Sequence, residues 1–290
     1  MLFGRETPLV GVFTLPTASV EQNGLPAAIL LNAGIISRVG PNRVYVKIAR
    51  NLARLGMPVL RFDLSGIGDS PVRRDHLPFY RSAVNETQDA MDYVTEATGA
   101  GQFVLMGICS GANLSYETAR RDSRVVGAVL LNPRHHLHRG AGEIHSAIRS
   151  RVLRHHYWRI TFFSSFSAKN WLNLLAGRAR GGAVVKAARG LWSRGPFASR
   201  RAVSSVVIQA EGKLRSLAER GTRLLHVYSE GDEGLDYLQA VFGHRLGAWR
   251  AEGLLEMEVI PGANHTFSLL WSQERLLAVL GDWVQTLVRE

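Results

Sequence analysis

The 290-residue chain contains a single cysteine, Cys109, so it cannot close an intrachain disulfide. A lone thiol fits a reducing interior, where it serves as a small core residue or as a nucleophile. The expected location is cytoplasmic. No stretch approaches the roughly 18 uninterrupted apolar residues that a spanning helix needs, so no transmembrane segment is expected. The opening residues, MLFGRETPLVG, lack the apolar run and small-residue cleavage site of a secretory signal. Neither an internal repeat nor a low-complexity tract is present. Acids are nearly missing from one segment. Between Arg134 and Arg201 stand fourteen Lys/Arg and a single acid, Glu143, while the rest of the chain holds 21 basic and 23 acidic residues. The excess positive charge is therefore local. It reads either as a solvated, arginine-rich surface or as an electrostatic platform for an anionic partner.

What is present is an ordinary globular balance, 46% apolar and 20% charged, enough to build a sizeable core. Short apolar runs alternate with helical patterns, the signature of parallel βαβ organisation. The run AAILLNAG (27–34) suits a strand buried on both faces. Val44, Ile48, Leu52 and Leu55 follow on one helical face, and Gly56 marks a stop. Further strands are expected at 57–64, 103–109, 125–133, 223–232 and 254–262, with helices around 80–94, 235–251 and 268–288. Segment 134–220 breaks this rhythm; it carries Trp158, Trp171 and Trp192, and six of the ten histidines lie between residues 134 and 201. An insertion after the strand at 125–133 would sit over the strand ends, where open α/β sheets bind ligands. The expected division is a core of 1–133 and 221–290 with a basic, mainly helical cap at 134–220.

The stretch MGICSGAN (106–113) joins an apolar strand to a helix, with Gly107 and Gly111 two residues either side of Cys109. That spacing is a nucleophile elbow, a strained turn that lifts its central side chain above the end of the sheet. Ser110 is the rival nucleophile. Placing it at the tip would put Ile108 where the turn needs a small residue, so Cys109 is favoured. Asp232 follows the strand ending HVYSEGD, and His265 lies in PGANHTFS after the last strand. The order nucleophile, acid, histidine is that of the α/β-hydrolase triad. With the FDLSGIGDS loop (62–70), the chain resembles the α/β-hydrolase superfamily over essentially its whole length. The stretch 32–56 is similar to a subgroup of stand-alone hydrolases of exopolysaccharide or natural-product gene sets.

The resemblance implies an α/β-hydrolase sheet with an inserted helical cap, and a catalytic Cys109–His265–Asp232 triad. It also implies an oxyanion hole from the backbone N–H of Ile35, with Gly34 as alternative, and of Ser110. Asn32-Ala33-Gly34-Ile35 replaces the usual His-Gly pair, which backbone donors tolerate. Glu230 and Asp236 are rival acids by position. A hydrolase acting on an ester or thioester is expected. A thioester intermediate stays reactive toward amines and thiols, so an acyltransferase is the alternative; a non-catalytic binding module is the third reading. The partner is a small acyl substrate, carried on an acidic carrier protein or coenzyme A if the basic segment docks one. Arg38, Asn42 and Arg43 either orient a substrate anion or pair with Asp63 or Asp69. His135, in HHLH (135–138), is a further pocket candidate. Neither HHLH nor HHY (155–157) has convincing metal-ligand spacing, so no metal and no other cofactor is expected. Gly66 and Gly68 suit turn geometry better than a phosphate loop. Nucleic-acid binding is not expected, since no binding module is recognisable.

Overall fold

A computed structural model describes residues 1–16, 25–134, 136–137 and 197–288. Eight strands form one sheet: β1 (Leu2–Phe3), β2 (Leu9–Thr14), β3 (Ala27–Leu31), β4 (Val59–Phe62), β5 (Phe103–Ile108), β6 (Val125–Leu131), β7 (Arg223–Ser229) and β8 (Glu256–Ile260). The six helices among the described residues are α1 (Val44–Arg54), α2 (Phe79–Thr98), α3 (Ser110–Ala119), α4 (Phe197–Glu219), α5 (Glu233–Ala251) and α6 (Leu270–Val288). The strand order is β1-β2-β4-β3-β5-β6-β7-β8. β2 runs antiparallel to β1 and β4, and β3 through β8 are parallel. This is the expected α/β-hydrolase architecture.

Period-two alternation splits the buried strands between two apolar layers. Ala27, Ile29 and Leu31 of β3, with Phe103 and Leu105 of β5, face one layer with residues of α2, α3, α4 and α5. Ala28, Leu30, Val104 and Met106 face the other, against α1 and α6. Covering both faces explains why these strands are continuous apolar runs. Each fully buried Leu, Ile, Val or Phe contributes about 1.5–3 kcal/mol, so the two layers supply the main drive for folding.

After β3 the chain goes outward to β4, then returns across β3 to form β5 on its other side. The direction of crossover reverses at β3/β5, and the carboxyl ends diverge there. The Tyr45 hydroxyl fills that divergence: it donates to the Leu31 carbonyl (2.8 Å) and accepts from the Ile108 N–H (2.9 Å). Helix α4 lies within the segment expected as cap, yet its Val206, Val207, Ala210, Leu214 and Leu217 belong to the core layer. It is the crossover helix that leads into β7. Trp158, Trp171, Trp192 and most of 134–196 lie outside the described residues.

Candidate active site

Cys109 sits between the end of β5 and the start of α3 with φ 58° and ψ −109°. A side chain in such a region costs on the order of 1–3 kcal/mol and persists only where neighbours impose it. The constraints are visible. The Cys109 N–H donates to the Leu131 carbonyl (2.9 Å), extending the β5–β6 ladder, and its carbonyl accepts from the Asn113 N–H (3.2 Å), opening α3. A Cβ on Gly107 would come within 2.3 Å of the Gly111 carbonyl carbon, and one on Gly111 within 2.5 Å of the Leu31 carbonyl oxygen. Only glycine allows that approach. The strained position is thus Cys109, while Ser110 is the first residue of α3. The Ser110 hydroxyl accepts from the Gly34 N–H (2.8 Å), tying the loop after β3 to the elbow. The N–H of Gly34, the alternative oxyanion donor, is thus engaged by the Ser110 hydroxyl, whereas Ile35 is 90% exposed.

His265 follows β8 and meets the elbow from the far side. Its Nδ1 is hydrogen-bonded to Asp232 Oδ2, a carboxylate that is only 2% exposed. The other Asp232 oxygen accepts from the Gly234 N–H (2.8 Å), so the acid also caps α5. The hydrogen bond to Asp232, then that to Cys109, raises the His265 pKa to about 9. The reciprocal hydrogen bond from His265 lowers the Cys109 pKa; burial opposes this, and the charges of His265 and Arg134 assist it. A thiolate facing an imidazolium is the state this arrangement favours.

The rival acids are engaged elsewhere. Glu230 accepts from the Gly262 N–H (2.8 Å) and braces the loop that carries His265. Asp236 is fully buried one turn into α5.

The remaining sequence candidates divide. Arg38 is paired with the fully buried Asp63 and with Asp69 (2.7 Å). Asn32 donates to Asp63 Oδ1 (3.2 Å) and accepts from the Leu64 N–H (2.8 Å). Together they lock the 33–38 loop onto the 63–70 loop, the structural alternative for Arg38. Gly66 and Gly68 have φ of 75° and 54°, and a Cβ on Gly68 would collide with Asp63 Oδ2 at 2.2 Å. Asn42 and Arg43 are exposed at the entry to α1 with φ of 50° and 60°. His135 lies outside the described residues, as does HHY. Among the described residues, no three His, Cys, Asp or Glu side chains gather as a metal site would require. The buried His136 and His226 instead face each other (Nε2 to Nε2, 2.8 Å), and burial lowers the His226 pKa to about 4.

Three contributors escaped sequence reasoning. One is Tyr45. Another is Asn132, fully buried with φ 46°, which donates to the His265 carbonyl (2.8 Å) and accepts from the Ser229 N–H (2.7 Å). Asparagine tolerates the left-handed region, so Asn-Pro after an apolar strand was the available signal. The third is Arg134, next along the chain.

Residues 26–178 match the profile of the family described as serine aminopeptidase, S33. The chain belongs to that family. The matched span includes the β3 loop and the elbow, and stops short of Asp232 and His265. A cysteine at the elbow of this S33 chain departs from the serine in the family's description. No curated protein matches the sequence. Several solved structures do match in fold. Est1E from Butyrivibrio proteoclasticus with ferulic acid bound is 13% identical, with a TM-score of 0.61 and all of both chains covered. Proline iminopeptidase from Mycobacterium smegmatis is 17% identical, with a TM-score of 0.58, covering 100% of this chain and 99% of its own. An esterase from Pyrococcus furiosus is 12% identical, with a TM-score of 0.57, covering 99% and 89%. These identities speak for the fold. The family points to a hydrolase. No helix among the described residues is long and apolar enough to cross a membrane.

Proposed function

We propose that this S33-family chain is a cysteine-dependent acyl hydrolase acting on an ester or thioester. The reading rests on one observation: the strained elbow residue is a thiol whose pKa is lowered by His265, itself held by Asp232. The Cys109 thiolate attacks the substrate carbonyl, forming a C–S bond. The oxyanion is received by the Ser110 N–H and by the loop after β3, through Ile35, or through Gly34 once its N–H leaves the Ser110 hydroxyl. Collapse breaks the bond to the leaving group, which takes the His265 proton. His265, now neutral, removes a proton from water; the hydroxide adds to the thioester, and collapse releases the acid and restores the thiolate–imidazolium pair. Asp232 fixes the imidazole tautomer throughout. The esterase and iminopeptidase activities named for the structural neighbours belong to the same class of acyl chemistry.

A second reading is supported by the nucleophile's chemistry. An acyl-cysteine is a thioester, open to amines and thiols as well as water, so transfer to an acceptor competes wherever water is kept out. The basic segment between Arg134 and Arg201 suits an acidic carrier protein or coenzyme A as donor or acceptor. The stretch 32–56 supports placement among the hydrolases of exopolysaccharide or natural-product gene sets.

Intact-mass spectrometry with p-nitrophenyl esters and N-acetylcysteamine thioesters tests this. The wild type gains one acyl mass, and Cys109→Ala gains none and loses at least about 10³-fold in turnover. Discharge by water alone marks a hydrolase; an adduct that only an amine or thiol removes marks an acyltransferase. Undiminished turnover by Cys109→Ala would exclude both, and no turnover by either protein favours a binding module.

A further inference from the structure

Arg134 is anchored one hydrogen-bonded step from the elbow. Its N–H donates to Asn113 Oδ1 (3.2 Å), and the Asn113 N–H donates to the Cys109 carbonyl (3.2 Å). On the other side the preceding residue is clamped: a Cβ on Gly234 would lie 2.3 Å from the Pro133 carbonyl oxygen. The main chain of 133–134 is thus held between the first turn of α3 and the start of α5, the two elements that present Cys109 and Asp232. A long side chain leaving this position has little freedom at its root.

The guanidinium at its end is under-used. Its Nε is shut off from solvent and has no hydrogen-bond partner among the described residues. Among those residues it makes one ion pair, with Glu233 at 3.4 Å, where the arginine side chain is 42% exposed and the carboxylate 65%. Exposed pairs of this kind are worth about 0–1 kcal/mol, whereas a buried donor left unmade is costly. The positive charge also reaches the thiol, where it helps to lower the Cys109 pKa. A guanidinium rooted next to the elbow, with its end against Glu233 and donors to spare, has the form of a receptor for a planar anion.

We propose that Arg134 is a recognition residue for a carboxylate carried by the substrate within a few bonds of the scissile carbonyl. The inference rests on the reading of Cys109 as the nucleophile. It names a different partner from coenzyme A or a carrier, whose phosphates stand at the far end of a long flexible arm from the thioester. An anion that meets Arg134 belongs to the reacting end of the molecule. On binding, the carboxylate takes the place of the weak Glu233 pair at the exposed end of the guanidinium. The carboxylate sits either on the acyl group, as in a half-ester or half-thioester of a short dicarboxylic acid, or on the leaving group.

Two reagents of nearly equal size test this without requiring turnover. Iodoacetate and iodoacetamide both alkylate the thiolate with loss of iodide, and they differ in one negative charge. Cys109 is the only cysteine, so intact mass reads its rate directly. Replacing Arg134 by Met lowers the iodoacetate-to-iodoacetamide rate ratio about tenfold, the scale of one charge a few ångströms away in a partly solvated site. Arg134→Lys keeps most of the ratio. Any change in thiolate basicity affects both reagents alike and cancels. An unchanged ratio in Arg134→Met overturns the proposal.

Turnover then locates the carboxylate. Succinyl and butanoyl thioesters of N-acetylcysteamine vary the acyl side, and acetyl thioesters of mercaptoacetate and of N-acetylcysteamine vary the leaving side. One carboxylated member exceeds its neutral counterpart at least about tenfold in kcat/KM, and Arg134→Met abolishes that preference. Preference for neither member, or a preference that survives the substitution, refutes the assignment. Absence of any acyl adduct on Cys109 would strike the catalytic reading instead, and the alkylation ratio would still report on Arg134.

Discussion

A cysteine with φ 58° holds a backbone that residues bearing a Cβ seldom adopt, and Cys109 holds it at the point where a thiolate is useful. The two pKa shifts there have opposite signs and a shared cause. His265 holds its proton up to about pH 9, chiefly through its hydrogen bond to Asp232, and Cys109 loses its proton below its ordinary value of 9.0, chiefly through its hydrogen bond to His265. The reactive pair therefore exists above the lowered thiol pKa and below about pH 9. Iodoacetamide labelling of Cys109 should titrate below the ordinary thiol range, and His265→Ala should move that titration back up. Turnover should decline as the pH rises through about 9, because the imidazolium that protonates the leaving group is lost. A labelling profile unchanged by His265→Ala would contradict the pairing. At this scale the sequence offered candidates by a strong local grammar, Cys109 by its flanking glycines and Asp232 and His265 by their places after strands, and the structure brings the three together. Tyr45 and Arg134 make their contacts across the chain, where no neighbour in sequence announces them, and Asn132 had only the Asn-Pro pair after its strand as a signal.

The elements carry a different constraint, and two glycines separate it cleanly. Gly111 lies where α3 passes the end of β3, with the Leu31 and Asn32 carbonyl oxygens 2.5 and 2.7 Å from any added Cβ. Both obstacles are backbone, so Gly111→Ala must push α3 off the sheet and should destabilise the protein by about 1–3 kcal/mol or more in urea unfolding. Gly212 is exposed in α4 with nothing within 4 Å of an added Cβ. There the same change should stabilise by about 0.5–1 kcal/mol through helix propensity. Equal effects at the two sites would refute the close-approach argument. Strands β3 and β5 were legible because burial on both faces writes an unbroken apolar run. Helix α4 was harder to read. Its core positions, Val206, Ala210, Leu214 and Leu217, repeat at helical spacing, yet it begins inside the basic stretch, with Arg200 and Arg201 near its start, and charge groups it with the expected cap. Burial assigns this helix to the sheet.

For the whole molecule, charge and connectivity pull apart. The net charge of +11 comes from the stretch between Arg134 and Arg201; the rest of the chain is slightly acidic. If an acidic acyl carrier protein docks there, its affinity should fall several-fold between about 0.05 and 0.5 M salt, as the screening length shrinks. Affinity that is flat across that range would dismiss electrostatic docking. The alignment of Cys109, Asp232 and His265 has a support just upstream of this region. Asn132 is the last residue but one before Arg134, and its side chain grips both the His265 carbonyl and the Ser229 N–H, which come more than ninety residues later. That amide works as a rivet: the loop of His265 and the strand leading to Asp232 are fastened to the Cys109 half of the sheet at a point upstream of the long excursion. On the proposed chemistry, residues between 138 and 196 can then be exchanged to alter specificity while this fastening stays in place.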